Sequence, residues 1–363
     1  MKKTLALVLA LVMVLALCAC GQQTAPAAAP AAAEPAAAPA AAEPAAAPAA
    51  AEPAAEVIEL RLSSDNAPSD PICNAMFLWA DAVKEATNGG LVITVYPSAQ
   101  LGEAEEATTA CELGTIDIVQ GDTGVVSNWV ADYGLTALPF IVANYEEGEK
   151  MFYESDIVKN MDAKLLEEYG MRPLGWGWNG FRQFATKTPL TSVESCKNIK
   201  MRCPQIDIYI AMYEALGMNP TIISWNDAYT GIQSGMADGL CCPAQAIYDN
   251  GFHKICTCVC RSNHMLNVCG PVINENVYQS LPAEYQTILQ ETWLEVRDTY
   301  LNPTVSGSED DYFAKFEAEG CTVTEFENHD EIIELFRPIW EQEAEKFGYT
   351  DSLNALYEVL GIA

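Results

Sequence analysis

Apolar and polar residues alternate from Val57 to Ser63 (VIELRLS), the period of a strand with one buried face. From Pro71 the period lengthens. Ile72, Met76, Trp79 and Val83 fall on one side of a helix over Pro71–Thr87, and Asn88-Gly89-Gly90 stops it. LVITVYP, residues 91–97, reads as a second strand. Glu103 to Leu113 reads as a helix ended at Gly114, and TIDIVQG, residues 115–121, as a third strand. This repeated strand–helix–strand alternation predicts an α/β fold with a largely parallel sheet.

A second round follows. Residues 148–170 read as helix, Met171–Trp178 as a strand, and Ile199–Pro204 (IKMRCP) as another. Gln205–Leu216 and Asn226–Ser234 are helical patterns stopped by Gly217 and Gly235, with a short strand around Ala237–Cys241. Leu281–Asn302 reads as a long helix beginning at Pro282. Asp330–Phe347 and Ser352–Leu360 form a closing helix pair. Two α/β lobes with a cleft between them is the natural assembly of such a pattern.

The first 56 residues have a different character. Lys2 and Lys3 precede an apolar run, Leu5–Leu17, that suits a signal-peptide core and is too short to span a bilayer. Leu17-Cys18-Ala19-Cys20 resembles the bacterial lipobox, which implies that Cys20 is the lipidated first residue of the mature chain. Gly21–Glu56 follows as an Ala/Pro/Glu tether whose AAAEPAAAP unit recurs with Glu34, Glu43 and Glu52 in register. The unit has no large apolar residue to bury, and its prolines remove helix donors, so a semi-stiff extended spacer reaching on the order of 100 Å is expected.

The chain holds 19 basic and 50 acidic residues. Without Lys2, Lys3, Glu34, Glu43, Glu52 and Glu56, the folded part from Val57 keeps 17 and 46, a net charge of −29. Such a surface excludes nucleic acid, whose phosphates need a basic face. It also means that an anionic ligand would need local positive charge to overcome a repulsive background. Of 13 cysteines, 11 lie beyond Cys20, an odd number. Cys256, Cys258 and Cys260 alternate as on a strand, and His253, His264 and His329 show no paired ligand spacing. Buried, reduced thiols acting as small hydrophobes are therefore expected rather than a disulfide framework or a metal site.

Catalytic patterns are thin. Gly175-Trp176-Gly177-Trp178-Asn179-Gly180 satisfies GxGxxG after a strand, yet the FRQFATKTPL that follows is not the helix a pyrophosphate site requires. Ser234 in GIQSGM lacks the order of a nucleophile elbow. No HExxH or Walker loop occurs.

What stands out is an ordered set of segments. Tyr96-Pro97-Ser98-Ala99-Gln100-Leu101-Gly102, Glu112–Asp117 (ELGTID), Leu138-Pro139-Phe140, Gly180-Phe181-Arg182-Gln183, Lys200-Met201-Arg202-Cys203-Pro204 and Trp225–Gly239 (WNDAYTGIQSGMADG) succeed one another over most of the folded part. Together they resemble the extracytoplasmic solute receptors of TRAP transporters, the C4-dicarboxylate-binding type. Independently, Arg182 and Arg202 are two of few basic residues and sit among apolar and aromatic neighbours. A planar guanidinium grips a carboxylate with two parallel hydrogen bonds, as lysine cannot.

The resemblance implies a two-lobe, periplasmic-binding-protein-like α/β fold with a ligand cleft and a long C-terminal spanning helix. Lobe I would be residues 57–179 plus 268–307, and lobe II residues 180–267 plus 308–363, after a signal (1–20) and the tether (21–56). It implies that Arg202 clamps a small organic carboxylate with Arg182 assisting, and that Trp225 and Trp178 are ligand-facing aromatics. Where the family commonly places Glu-Asn after Asp-Gly, this chain has Cys241-Cys242. Cys242 thus stands in place of an asparagine and is a weaker donor. No enzyme activity, cofactor or metal is implied. The partners would be the TRAP permease subunits, with the protein lipid-anchored on the outer face of the cytoplasmic membrane. The receptor lipoprotein of an ATP-driven importer, a tethered surface hydrolase and an inert wall-associated scaffold remain open at this point.

Overall fold

The structure is a computed structural model that describes residues 57–326 and 329–362. The signal, the Cys20 lipobox and the tether lie outside the described residues. The strands are β1 (Ile58–Ser63), β2 (Leu91–Tyr96), β3 (Ile118–Asp122), β4 (Met171–Pro173), β5 (Gly177–Thr186), β6 (Lys200–Cys203), β7 (Asn219–Ile222), β8 (Gly239–Pro243), β9 (Cys258–Asn274) and β10 (Thr322–Glu325). The longer helices are α1 (Pro71–Ala86), α2 (Ala104–Glu112), α3 (Ile157–Tyr169), α4 (Asp207–Ala215), α5 (Trp225–Gln233), α6 (Ala283–Val296), α7 (Asn302–Ala318), α8 (His329–Phe347) and α9 (Thr350–Leu360).

The strands join in the order β2-β1-β3-β9-β5-β8-β6-β7, with β4 and β10 both paired to β9. At one end β1 runs parallel to β2 and β3, and at the other β6 runs parallel to β7 and β8. These are the βαβ units expected from the sequence, one set in each lobe. The expectation of a largely parallel sheet needs correction at the centre. There β5 and β9 run antiparallel to each other, and each runs antiparallel to the neighbouring lobe strand, β8 or β3. The 17 residues of β9 pair with β10 over Cys258–Arg261, with β5 between Cys258 and Cys269, and with β3 and β4 over Cys269–Asn274, so this strand joins the two ends of the sheet.

The GxGxxG glycines serve this crossing. Gly175 has φ +130° and divides the single strand expected over Met171–Trp178 into β4 and β5. A Cβ on Gly270 would stand 2.2 Å from the Gly175 carbonyl, and one on Gly177 2.7 Å from Leu301 Cδ2. Close backbone approach, not a phosphate cradle, accounts for the motif. The β5–β9 register slips between Trp178 and Gly180 and again between Arg182 and Phe184. At the second slip the buried Gln183 side chain replaces the missing ladder bonds. Its Oε1 accepts from Ser262 N (2.9 Å) and Asn263 N (3.1 Å), and its Nε2 donates to Asn263 Oδ1 (2.6 Å).

The helix expected to end at Asn302 instead continues to Ala318. α6 passes through a π turn at Arg297–Leu301 into α7. Pro303 lies in the first turn of α7, and the wider turn before it relieves the bond and clash that a proline imposes on an α-helix. The N-terminal part packs on lobe I, where Trp79 Nε1 donates to Leu289 O (3.0 Å) and meets Trp293 edge-on. Phe313 and Phe316 pack in the lobe II core with Ile247 and Phe252. All eleven cysteines of the described residues are free thiols; ten are buried and Cys321 is half-buried. Most are core hydrophobes, and burial pushes the thiols of Cys196, Cys203, Cys256 and Cys260 up to about 12.

Candidate functional site

Strand ends and helix starts of both lobes converge on a cavity of about 330 Å³, a volume suited to a small metabolite. From lobe II, β5 supplies Arg182, β6 supplies Arg202 and β8 supplies Cys242. Trp225 opens α5 behind its capping residue Ser224, and Tyr209 comes from α4. From lobe I come Asp65 and Asn66 after β1, Gln120 and Asp122 on β3, and Glu103–Glu106 at the start of α2. Cys269, on β9, forms part of the floor.

The two arginines are 6% and 5% exposed and line the cavity. Arg182 is held from behind. Its Nε donates to Cys241 Sγ (3.2 Å), its Nη2 donates to the Cys241 carbonyl and to Cys242 Sγ (3.7 Å), and its Cζ lies 5.0 Å from the centre of the Tyr209 ring. Arg202 Nε donates to Ile223 O (2.9 Å), and its Cζ lies 5.6 Å from the Trp225 ring centre. The Nη groups of Arg202 make no hydrogen bond among the described residues, and neither arginine pairs there with a carboxylate. A buried guanidinium without an anionic partner is costly unless a ligand supplies one. The aromatic faces against both groups also stabilise a cation.

Burial pushes the Cys242 thiol up to about 11, so it is neutral at ordinary pH and offers only a weak hydrogen bond where the resemblance expects an amide. Trp178 is not brought to the cavity. It is 1% exposed and packs among Tyr145, Phe152 and Tyr153 at ring separations of 6.0, 5.7 and 4.9 Å. The ligand-facing ring that the resemblance implied there is corrected: both faces of this central strand are covered, and the ring packs into the core.

Sequence reasoning missed the opposite wall. Ser64 Oγ donates to Gln120 Oε1 (2.7 Å), Gln120 Nε2 to Asn66 Oδ1 (2.6 Å), and Asn66 Nδ2 to Asp70 Oδ2 (3.0 Å), a relay that fixes the loop after β1. Asp65 keeps part of its surface open to the cavity, but protein surrounds it otherwise. Burial first, then the charges of Asp122 and Glu103, raise its carboxyl from 3.8 to about 7. In a chain with so many acids nothing marked this one out; only its position behind the end of β1 does. Among the described residues, no group of three or more His, Cys, Asp or Glu side chains is placed to hold a metal ion.

Residues 62–346 match the family model for bacterial extracellular solute-binding protein, family 7. The sialic acid-binding periplasmic protein SiaP of Vibrio cholerae is 26% identical over 74% of this chain and 83% of its own. The C4-dicarboxylate-binding periplasmic protein DctP of Rhodobacter capsulatus is 26% identical over 81% and 89%. Among solved structures, a TRAP periplasmic solute binding protein from Ralstonia eutropha with bound (S)-2-acetolactate superposes with a TM-score of 0.78 at 25% identity, covering 84% of this chain and 99% of that one. The sugar acid binding protein of Advenella mimigardefordensis in complex with galactonate gives 0.80 at 18% identity, over 84% and 98%. The match spans the lobes, the crossing strands and the cavity: this chain belongs to family 7 of the bacterial extracellular solute-binding proteins, the solute receptors of TRAP transporters, which are not enzymes.

Proposed function

We propose that this receptor binds a small organic carboxylate in the cavity between its lobes and delivers it to the membrane permease subunits of a TRAP transporter. Arg202 is the principal clamp, Arg182 assists, Trp225 flanks the solute and Cys242 touches it. The observation that carries this is the pair of buried guanidiniums lining the cavity, neither paired with a carboxylate among the described residues. The relatives' named ligands agree with it, since sialic acid, C4-dicarboxylates, acetolactate and galactonate all bear a carboxylate.

The lobes take residues 57–179 with 268–307 and residues 180–267 with 308–363. Supporting this division, both boundaries on the crossing strands fall within β5 and β9. The lobes close on the solute by a change of angle about these two strands. Cys20 carries the lipid and residues 21–56 the spacer, which hold the receptor at the outer face of the cytoplasmic membrane.

A thermal-shift screen over organic acids identifies the solute class, and Arg202→Lys then tests the clamp. Loss of the bidentate grip is expected to weaken the best hit by roughly 2–5 kcal/mol without changing the melting temperature of the empty protein. Unchanged affinity would remove Arg202 from the site.

A further inference from the structure

The charges that line the cavity are unequal and segregated. Lobe II presents the guanidiniums of Arg182 and Arg202; lobe I presents the carboxylates of Asp65, Asp122, Glu103 and, at the rim, Glu105 and Glu106. None of these acids forms an ion pair among the described residues, and no lysine lines the cavity. A plain anion would therefore meet its clamp on one side and an uncompensated acidic wall on the other.

Local bonding singles out one of the acids. Asp122 is engaged: Gly124 N donates to its Oδ1 (2.8 Å), and Asn267 Nδ2 (2.9 Å) and Cys269 Sγ (3.6 Å) donate to its Oδ2. Glu103 and Glu106 cap α2 reciprocally. Among the described residues, Asp65 receives no hydrogen bond from another residue's side chain, and it is held by a bond from its own backbone. Its neighbours are the acids Asp122, Glu103 and Asp70, whose repulsion together with burial keeps its carboxyl near 7. A cation placed at Asp65 would relieve all of these contacts at once. Beside it, Asn66 and Gln120 line the same wall, their side-chain oxygens accepting within the relay from Gln120 and Ser64.

We propose that the solute is a zwitterion, an organic acid bearing a protonated amine, with its carboxylate on Arg202 and Arg182 and its ammonium against Asp65. This rests on the carboxylate-receptor reading above and narrows it to a substrate class. A hydroxy acid would leave the acidic wall without a counter-charge, and a dicarboxylate would place a second anion against it, so both are selected against.

Calorimetric titration of the full chain at pH 7.5 tests this with matched sets of amino acid, hydroxy acid and dicarboxylate that share one carbon skeleton. One such set is 4-aminobutanoate, 4-hydroxybutanoate and succinate. In the best-binding set, the amino acid is expected to bind at least about tenfold tighter than either counterpart. Asp65→Asn should then abolish that preference, bringing the amino acid and the hydroxy acid to within about threefold of each other. Equal or tighter binding of the hydroxy acid or the dicarboxylate overturns the inference while leaving the receptor reading intact, and this comparison needs no variant. An amino-to-hydroxy ratio unchanged by Asp65→Asn also overturns it. If no carboxylate in any set binds, the carboxylate reading of the site falls, and the zwitterion with it.

Discussion

Replacing Asp65 by Asn removes a carboxyl that the fold holds at about 7 instead of 3.8. In the unfolded chain this acid ionises near its ordinary value. Between the two values the folded state keeps a proton that the unfolded state has lost, so stability falls as pH rises through that window and levels off above it. The full cost to the empty protein is at most about 4 kcal/mol, and about two-fifths of it is already present at pH 5. Asp65 keeps part of its surface open to solvent, which screens part of this field, so the growth from pH 5 to pH 8 should be about 1–2 kcal/mol. Asn keeps the oxygen that accepts the backbone bond and has no charge to desolvate. The ligand-free variant should therefore be more stable than the parent at pH 8, with the advantage shrinking towards pH 4. Urea unfolding of both proteins across this range measures it, and the other raised acids, such as Asp162 at about 6, cancel in the difference. A pH-independent difference, or a variant less stable at pH 8, would refute the account of Asp65.

Two further outcomes follow from the geometry. A Cβ on Gly239 would stand 2.3 Å from the Ala185 carbonyl and 2.7 Å from Thr186 Cγ2, so Gly239→Ala should cost about 2 kcal/mol or more, and an unchanged urea midpoint would contradict the β5–β8 packing. Glu275 is held below the usual carboxylate range by a bidentate contact with Arg172 (2.6 and 2.8 Å), a contribution present above its unfolded value and lost as pH falls; Glu275→Gln should cost about 1 kcal/mol at pH 7 and nothing near pH 2, and equal effects at both pH values would rule out the ion pair.

The outer strands and helices were legible because each buries one face. β1 and α1 write their burial into the spacing of Leu60, Leu62, Ile72, Met76, Trp79 and Val83. β9 was not legible beyond its alternating cysteines: nearly every residue in it is buried, so no period survives, and Gly270-Pro271 reads as a turn. In the structure Pro271 sits in the ladder opposite Gln120 and supplies its carbonyl to Leu174 N. Arg182 and Arg202 could be picked out because basic residues are scarce, whereas Trp225 was marked only by the family resemblance. Trp178 shares the same local chemistry but faces a core that only tertiary structure creates. The acids of the opposite wall are individually ordinary and become a site only when β1, β3 and the start of α2 meet.

The continuous run from Ala283 to Ala318 carries a mechanical consequence. Its first part is fastened to lobe I through Trp79 and Trp293, and its last part to lobe II through Phe313 and Phe316. A rod anchored at both ends cannot slide, so any change of angle between the anchors must appear as curvature along it. The turn at Arg297–Leu301, already widened ahead of Pro303, is the softest place for that curvature. The molecule thus has a built-in spring beside its crossing strands. If the lobes close on the solute as proposed, that one turn is where the rod would bend on closing and straighten on release.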